Sequence, residues 1–267
     1  MSASDPRWRV SVATLDRVVV KSAFDRPPML ILERAATLLR DKGSDSTVVQ
    51  VKPFGGAVRI LDAPALRQHI GDFEFDSQHS QAEQDFRIPV PAAAWEKVKQ
   101  FCLLHLVKPH GAILETSPQR ELAEEFMDTL HIHLEPGQVL SRPAGLVVEN
   151  TPAPTGNLYS PGFPTARIYR IFEVTIPEIS LCTALLENSQ RYTDLDLQAM
   201  AAADAALGGK GRANAVLALP LEEVTHLYLK VPLPQRAQPL TIDGHHFDAS
   251  VIAMLENVDA PQYERLL

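Results

Sequence analysis

Three glutamates occur in a short segment whose spacing would place them on one face of a helix. They are Glu121, Glu124 and Glu125, at positions i, i+3 and i+4, and they directly follow Arg120. Unpaired carboxylates at this spacing repel one another by roughly 0.2–0.5 kcal/mol per pair. A hard divalent cation such as Mg²⁺ or Mn²⁺ prefers clustered carboxylate oxygens and bridges them to phosphates. The pattern therefore predicts either a metal site or a solvated helix face, on which glutamate is also common.

The segment that carries the glutamates is predicted to be a helix over residues 117–130 that packs against a sheet. Thr116 and Gln119 have the spacing of a capping box, and a Ser-Pro pair after Thr116 offers an alternative start. Leu122 and Phe126 are one turn apart and face away from the glutamates. They can anchor the helix on apolar neighbours and leave the carboxylates facing outward.

The remaining chain combines strand and helix patterns, with the expected fold class α/β. Helices are predicted at residues 92–106, 195–206 and 249–257, and residues 35–40 are read as helix or loop. Strands are predicted at residues 9–15, 17–20, 29–32, 47–51, 131–134, 145–149, 167–176, 215–219 and 227–231. Residues 62–110 differ in character, since an acidic stretch with little periodicity precedes the helix at 92–106. We interpret them as an insertion, partly loop.

Composition excludes several classes of protein. The chain has 267 residues, is 45% hydrophobic and 22% charged, and carries a formal net charge of −8. It has no basic cluster of the kind that binds nucleic acid and no apolar run of the roughly 20 residues needed to cross a bilayer. The N-terminus lacks the pattern of a signal peptide, and Cys102 and Cys182 lie in apolar segments as buried thiols do. These features indicate a cytoplasmic protein that binds neither nucleic acid nor membrane.

The glutamate segment resembles the core of the Nudix box, which reads Arg-Glu-apolar-any-Glu-Glu. The neighbourhood is similar to that family as well: residues 48–52 followed by Pro53-Phe54-Gly55-Gly56 resemble the strand and glycine turn that open the box. Further resemblances, which extend over roughly residues 9–257, are found at residues 29–34, 167–176 and 219–224. Only the segment 120–125 is specific. The resemblance implies one Nudix-like α/β/α sandwich over residues 1–267, with a mixed sheet.

The sequence departs from the family pattern in the spacing of the box. About 13 residues separate the box glycine from the arginine in the family, whereas the 63 residues 57–119 separate Gly56 from Arg120 here. If Gly55-Gly56 is the glycine pair, an insertion at about 62–110 splits the box. If Gly111 has that role instead, its spacers to Glu115 and to Arg120 are short. Met127 stands where the family has a glycine.

The resemblance implies Mg²⁺-dependent (or Mn²⁺-dependent) hydrolysis of a nucleoside-diphosphate-linked small molecule. By position in the motif, the metal ligands are Glu121, Glu124 and Glu125, and the catalytic set is Glu124, Glu125 and Arg120. The backbone of Gly55 or Gly56 would approach the phosphates, or the two glycines form only a tight turn.

Two alternatives to a Nudix hydrolase stay open. The altered spacing and Met127 favour a catalytically silent Nudix-fold module that binds a nucleotide or a protein, and an unrelated α/β protein with a chance glutamate helix is a third reading. A homodimer is also left open.

Overall fold

The computed structural model describes residues 6–21, 27–40, 47–107, 112–115, 117–135, 137–148, 152–154, 163–187, 216–222, 240–242 and 245–247. Within these ranges the strands are β1 (Arg7–Val20), β2 (Met29–Arg40), β3 (Thr47–Lys52), β4 (Arg87–Pro91), β5 (Leu140–Val148), β6 (Ala153–Pro154), β7 (Pro164–Thr175), β8 (Val216–Pro220), β9 (Leu240–Ile242) and β10 (His245–Phe247). The predicted elements at 195–206, 227–231 and 249–257 lie outside the described residues.

The α-helices of the described residues are α1 (Ala63–Ile70), α2 (Gln78–Glu83), α3 (Trp95–Val107), α4 (Gln119–Leu130) and α5 (Ile179–Glu187). A 3₁₀ turn (Ala92–Ala94) leads into α3. None of the helices in this part of the chain is long and apolar enough to span a bilayer.

The strands form one mixed sheet. Its main order is β5-β7-β1-β2-β3-β10-β9, and β4, β6 and β8 pair with β1, β7 and β2 respectively. The β1–β7 and β3–β10 pairs are parallel and the other pairs are antiparallel. The mixed α/β class and the mixed sheet expected from the sequence are therefore confirmed.

β1 is the strand that organises the site. It pairs with β7 in unbroken register from Arg9↔Thr165 to Val19↔Thr175, so its side chains alternate regularly between the two faces of the sheet. The even-numbered face is apolar at both ends, where Val10 and Val12 belong to one buried cluster and Val18 and Val20 to another. Thr14 and Asp16 lie between these clusters on the same face and are also buried.

The chain enters and leaves the segment 62–110, called the excursion below, at the same place. Residues 59–61 pair antiparallel with residues 113–115: Leu61 N–H donates to the Ile113 carbonyl (2.8 Å), and Glu115 N–H donates to the Arg59 carbonyl (2.9 Å). Because the two ends of the excursion are joined in this way, the chain before it and the chain after it lie side by side.

The excursion is packed into the protein rather than looped out. β4 pairs antiparallel with the first residues of β1. Leu66 of α1 and Val98 and Leu106 of α3 are buried in the same cluster as Val10 and Val12. The acidic stretch interpreted as loop contains α2, which begins at the Ser77 cap, whose hydroxyl accepts from the Ser80 N–H (3.1 Å). The prediction of a loop is confirmed for residues 71–77 and is wrong for residues 78–83, where this local cap and the burial of Ser80 stabilise a short helix.

α4 is held against the sheet by the two residues that the sequence singled out. Leu122 and Phe126 are fully buried, and the Phe126 ring lies 5.0 Å from that of Phe54. Both belong to the cluster that contains Val18 and Val20 of β1. Pro118 is the N-cap and makes no side-chain cap hydrogen bond, so the helix does not begin with the predicted capping box.

Three other predictions of local structure are wrong. Residues 35–40 belong to strand β2 rather than to a helix or loop, since pairing with β3 continues to Arg40. Residues 131–134 are not a strand, because His131 adopts a left-handed conformation (φ 56°) that ends α4. The two strands predicted at 9–15 and 17–20 are one continuous strand.

The prediction of buried thiols is confirmed for Cys102 and Cys182. Burial raises the pKa of both thiols.

Candidate active site

The glycine turn and the glutamate helix, which are distant in sequence, meet in the structure. The Gly55 N–H donates a hydrogen bond to Glu125 Oε2 (2.5 Å). Gly56 lies so close to Glu121 that a Cβ added to it would stand 1.9 Å from Glu121 Oε2. The structure therefore brings Gly55 into direct contact with Glu125 and Gly56 into direct contact with Glu121.

The turn occupies its place because part of the β1 edge is unused by other strands. β4 pairs with residues 7–11 of β1 and β2 with residues 18–20. In the interval, Thr14 N–H donates to the Gly56 carbonyl (2.9 Å) and Asp16 N–H to the Phe54 carbonyl (2.8 Å). Gly55 has φ +125°, and a Cβ there would stand 2.2 Å from the Thr14 carbonyl oxygen. Only glycine fits this approach.

Arg120 joins three carboxylates at the N-terminal end of α4. Its guanidinium lies 2.8 Å from Glu115, 2.6 Å from Glu121 and 3.0 Å from Glu124. Glu115 lies in the segment between the excursion and α4. Gly111, the alternative box glycine, lies outside the described residues. Arg120 therefore fixes the direction of Glu121, which points toward the glycine turn.

Glu124 is separate from the other two glutamates. Its side chain is 54% exposed, against 16% for Glu121 and 17% for Glu125. Among the described residues, its side chain forms an ion pair with Arg120. The three glutamates share a helix, but Glu121 and Glu125 line the inner part of the site and Glu124 lies at its rim.

Two charged residues of the site were not singled out in the sequence. Lys52, the last residue of β3, places Nζ 2.8 Å from Glu33 Oε2 and 3.3 Å from Glu125 Oε1. Glu33 lies on β2 beside Lys52, its partner in the strand register. A lysine that ends a strand just before a glycine turn is a weak signal in sequence, and its contact with Glu33 depends on the pairing of β2 with β3.

Asp16 is the third residue that sequence reasoning missed. It is fully buried, and its two carboxylate oxygens have no hydrogen-bond partner among the described residues. Burial raises the pKa of Asp16 well above its usual value, and the nearby charges of Glu125 and Glu121 raise it further. The available signal was a single acidic residue in a strand-like segment, with valines at 10 and 12 before it and at 18–20 after it.

The excursion contributes one carboxylate near the helix. Asp85 pairs with Arg87 (2.8 Å) and its backbone bridges Arg59. Burial raises the pKa of Asp85, and the charge of Asp85 is among those that raise the pKa of Glu121. The excursion therefore reaches the site at this residue.

The site is strongly acidic in its interior. Burial raises the pKa of Glu125 to about 8, and the opposing effects of Lys52 and of the Gly55 N–H do not cancel it. Burial also raises the pKa of Glu121, although Arg120 acts in the opposite direction. Negative charge on these side chains is therefore unfavourable unless a further cation compensates it.

The raised pKa of Glu125 predicts how stability depends on pH in the metal-free protein. Between pH 4.5 and about 8 the folded carboxyl keeps a proton that the unfolded chain has lost, so the free energy of unfolding should fall as pH rises. Glu125→Gln removes this group. The free energy of unfolding of the variant relative to the parent should therefore increase between pH 5 and pH 9, by on the order of a few kcal/mol.

Denaturant unfolding at both pH values, with a chelator present, measures this difference. Glu96→Gln is a matched control, because Glu96 is an exposed helix carboxylate that forms an ion pair with Lys99. A difference between parent and Glu125→Gln that is equal at pH 5 and pH 9 would contradict the raised pKa.

No group of three or more histidine, cysteine, aspartate or glutamate side chains is already arranged as a metal-binding set in the described part of the chain. In the contacts described, Arg120 binds Glu121 and Lys52 lies beside Glu125. Their oxygens would have to exchange these partners, at least in part, to bind a cation.

Comparison of the chain with protein-family models, with curated proteins and with solved structures gives no match. The functional argument therefore rests on the contacts between the glycine turn and α4 and on the charges around them.

Proposed function

We propose that the protein is a Mg²⁺-dependent hydrolase of a nucleoside-diphosphate-linked substrate, with a Nudix-like α/β/α sandwich whose box is split by the excursion. The observation that supports this is the contact of Gly55 and Gly56 with Glu125 and Glu121. In the family pattern these parts are adjacent in sequence. Here the 63 residues 57–119 separate Gly56 from Arg120, and the pairing of the two ends of the excursion brings them together.

The donor set fits a hard divalent cation in its chemistry. Glu121 and Glu125 are carboxylates with raised pKa, and the carboxylate of Asp16 is buried beside them without a hydrogen-bond donor. Magnesium prefers such oxygen ligands and keeps several waters. In this proposal Glu121 and Glu125 hold the cation, and Glu124 reaches it from the rim. A bound Mg²⁺ would neutralise the charge of the pyrophosphate and lower the pKa of a bound water.

The other residues position these groups. Arg120 directs Glu121 toward the turn, and Lys52 together with the Gly55 N–H directs Glu125. Without side chains, Gly55 and Gly56 let the turn lie close to the β1 backbone and to Glu121. The exposed side chain of Glu124 lies where a substrate would enter from solvent.

A catalytically silent binding module is the second candidate, and one observation favours it. Arg120 and Lys52 already compensate part of the negative charge of Glu121 and Glu125, as they would in a protein that binds no metal. Such a module would bind a nucleotide or a protein without hydrolysis.

A screen of nucleoside-diphosphate-linked compounds separates the two candidates. We expect release of a nucleoside monophosphate in the presence of Mg²⁺ or Mn²⁺, and none when a chelator is added. The same compounds are titrated calorimetrically without metal. Binding that is independent of metal, with no product from any compound, would support the silent module and contradict the hydrolase.

A further inference from the structure

We propose that Asp16 is a further ligand of the divalent cation, contributed by strand β1 from beneath the glutamate helix. This inference rests on the proposed function for the identity of the cation. It assigns a role to a residue that lies more than 100 positions before the glutamates and outside the glycine–helix motif.

The geometry places Asp16 under α4. Asp16 lies on the same face of β1 as Val18, because the register with β7 is unbroken and side chains alternate. Val18 is in one buried cluster with Leu122 and Phe126, which are the neighbours of Glu121 and Glu125 along the helix. The Asp16 backbone is hydrogen-bonded to Phe54, the residue before the glycine turn. Asp16 therefore lies where the strand, the turn and the helix meet.

The environment of Asp16 lacks the groups that normally accompany a buried carboxylate. The side chain is fully buried, and neither of its oxygens accepts a hydrogen bond from a described residue. Thr14 Oγ1, two positions earlier on the same face, also has no hydrogen-bond partner there. The charges that act on Asp16 are those of Glu125 and Glu121, both of the same sign. Buried polar groups nearly always have a hydrogen-bond partner, so the carboxylate of Asp16 is expected to have a specific partner as well.

A divalent cation bound between Asp16, Glu121 and Glu125 would supply that partner. The described side chains are not arranged as a metal-binding set, so Glu121 and Glu125 would have to turn from Arg120 and Lys52 toward Asp16 to bind it. A carboxylate buried among carboxylates is costly unless it is paired or coordinates a metal. The alternative is a purely structural acid that stays protonated and contacts no ligand. The two roles differ in one property: only a ligand changes the affinity of the protein for the metal.

The test compares metal binding by the parent, Asp16→Asn and the matched control Asp72→Asn, whose aspartate is exposed in the loop after α1. Mg²⁺ and Mn²⁺ are titrated calorimetrically, and melting curves are recorded with and without metal. We expect Asp16→Asn to fold and to bind both metals at least 10-fold more weakly, and to lose most of the metal-dependent rise in melting temperature. Asp72→Asn should behave as the parent.

A second measurement uses the parent alone, in case Asp16→Asn does not fold. Fe²⁺ with ascorbate replaces Mg²⁺ and cleaves the backbone close to the bound metal, and the cuts are mapped by mass spectrometry. We expect cuts in β1 around Asp16 as well as in α4 around Glu121 and Glu125. Excess Mg²⁺ should suppress them.

The outcomes separate this inference from the proposed function. Weaker metal binding by Asp16→Asn in a protein that hydrolyses none of the compounds would support the ligand role and contradict the hydrolase. Unchanged metal affinity in a folded Asp16→Asn, or cuts confined to α4, would overturn the ligand role and leave the hydrolase standing. A parent that binds neither metal overturns it too.

Discussion

Glu125→Gln should reduce kcat/KM for the proposed nucleoside-diphosphate-linked substrate by about 10³-fold or more, which is about 4 kcal/mol of transition-state stabilisation. Glutamine keeps the size of the side chain but loses the negative charge that holds a magnesium ion. Glu125 uses one oxygen for the Gly55 N–H and the other for Lys52. Glutamine has one acceptor oxygen, so it also loses one of these two contacts. Steady-state kinetics at saturating Mg²⁺ measure the loss.

The fold should survive this substitution. The pKa of Glu125 is raised to about 8, so near pH 7 much of the metal-free protein already carries a neutral carboxyl there, and Lys52 keeps its ion pair with Glu33. We expect the free energy of unfolding without metal at pH 7 to equal that of the parent or to rise, because at this pH the unfolded parent has lost a proton that the folded parent keeps. Glu96→Gln should retain full activity. A Glu125→Gln variant that keeps parental kcat/KM and parental Mg²⁺ affinity would remove Glu125 from the metal site.

Glu124→Gln should have a smaller effect than Glu125→Gln, and this difference comes from the structure. Helical spacing alone treats Glu121, Glu124 and Glu125 as equivalent, because it gives only the angular position of a side chain. In the structure, the three glutamates differ in whether the glycine turn packs against them. That depends on where a segment from outside the helix packs, and residue periodicity holds no information about it.

The positions of α4 and of the glycine turn could be inferred from sequence because each is a local pattern. Leu122 and Phe126 predicted the buried side of α4, and both are buried. The contact between the turn and the helix, in contrast, depends on the pairing of residues 59–61 with 113–115, which is a non-local feature. The short matching segments carry too little alternation to be recognised as partners in the sequence.

Asp16 shows a different limit of sequence reasoning. The strands predicted at 9–15 and 17–20 leave Asp16 out, and charged residues are seldom fully buried. The structure has one strand with Asp16 inside it, covered by the turn and by α4. Functional sites are where a buried charged residue of this kind is expected. The sequence shows the aspartate, but it does not show that the glycine turn and α4 pack near it.

The two glycines of the turn should respond to alanine in opposite ways. A Cβ at Gly56 would stand 1.9 Å from Glu121 Oε2, which is the end of a flexible side chain, so Glu121 can move away. We therefore expect Gly56→Ala to keep the free energy of unfolding within about 1 kcal/mol of the parent. Its kcat/KM should fall about 10²-fold, since a displacement of about 1 Å at a catalytic group has an effect of that size.

Gly55→Ala should instead destabilise the fold. A Cβ at Gly55 would stand 2.2 Å from the Thr14 carbonyl oxygen, and φ is +125°, a conformation that alanine rarely adopts. The obstacle is the backbone of β1, which is fixed by its register with β7 and cannot move as a side chain can. The strained conformation alone costs roughly 1–3 kcal/mol, and the displacement of β1 adds to it.

Unfolding curves and kcat/KM for the two variants, measured side by side, test this contrast. The expected pattern is a stable but weakly active Gly56→Ala and a destabilised Gly55→Ala. Because both substitutions add one methyl group to adjacent residues of one turn, each serves as the control for the other. Equal losses of stability in the two variants would mean that Glu121 is held as rigidly as the β1 backbone. Full activity in a stable Gly56→Ala would mean that the position of Glu121 does not matter for catalysis, and it would remove Glu121 from the proposed site.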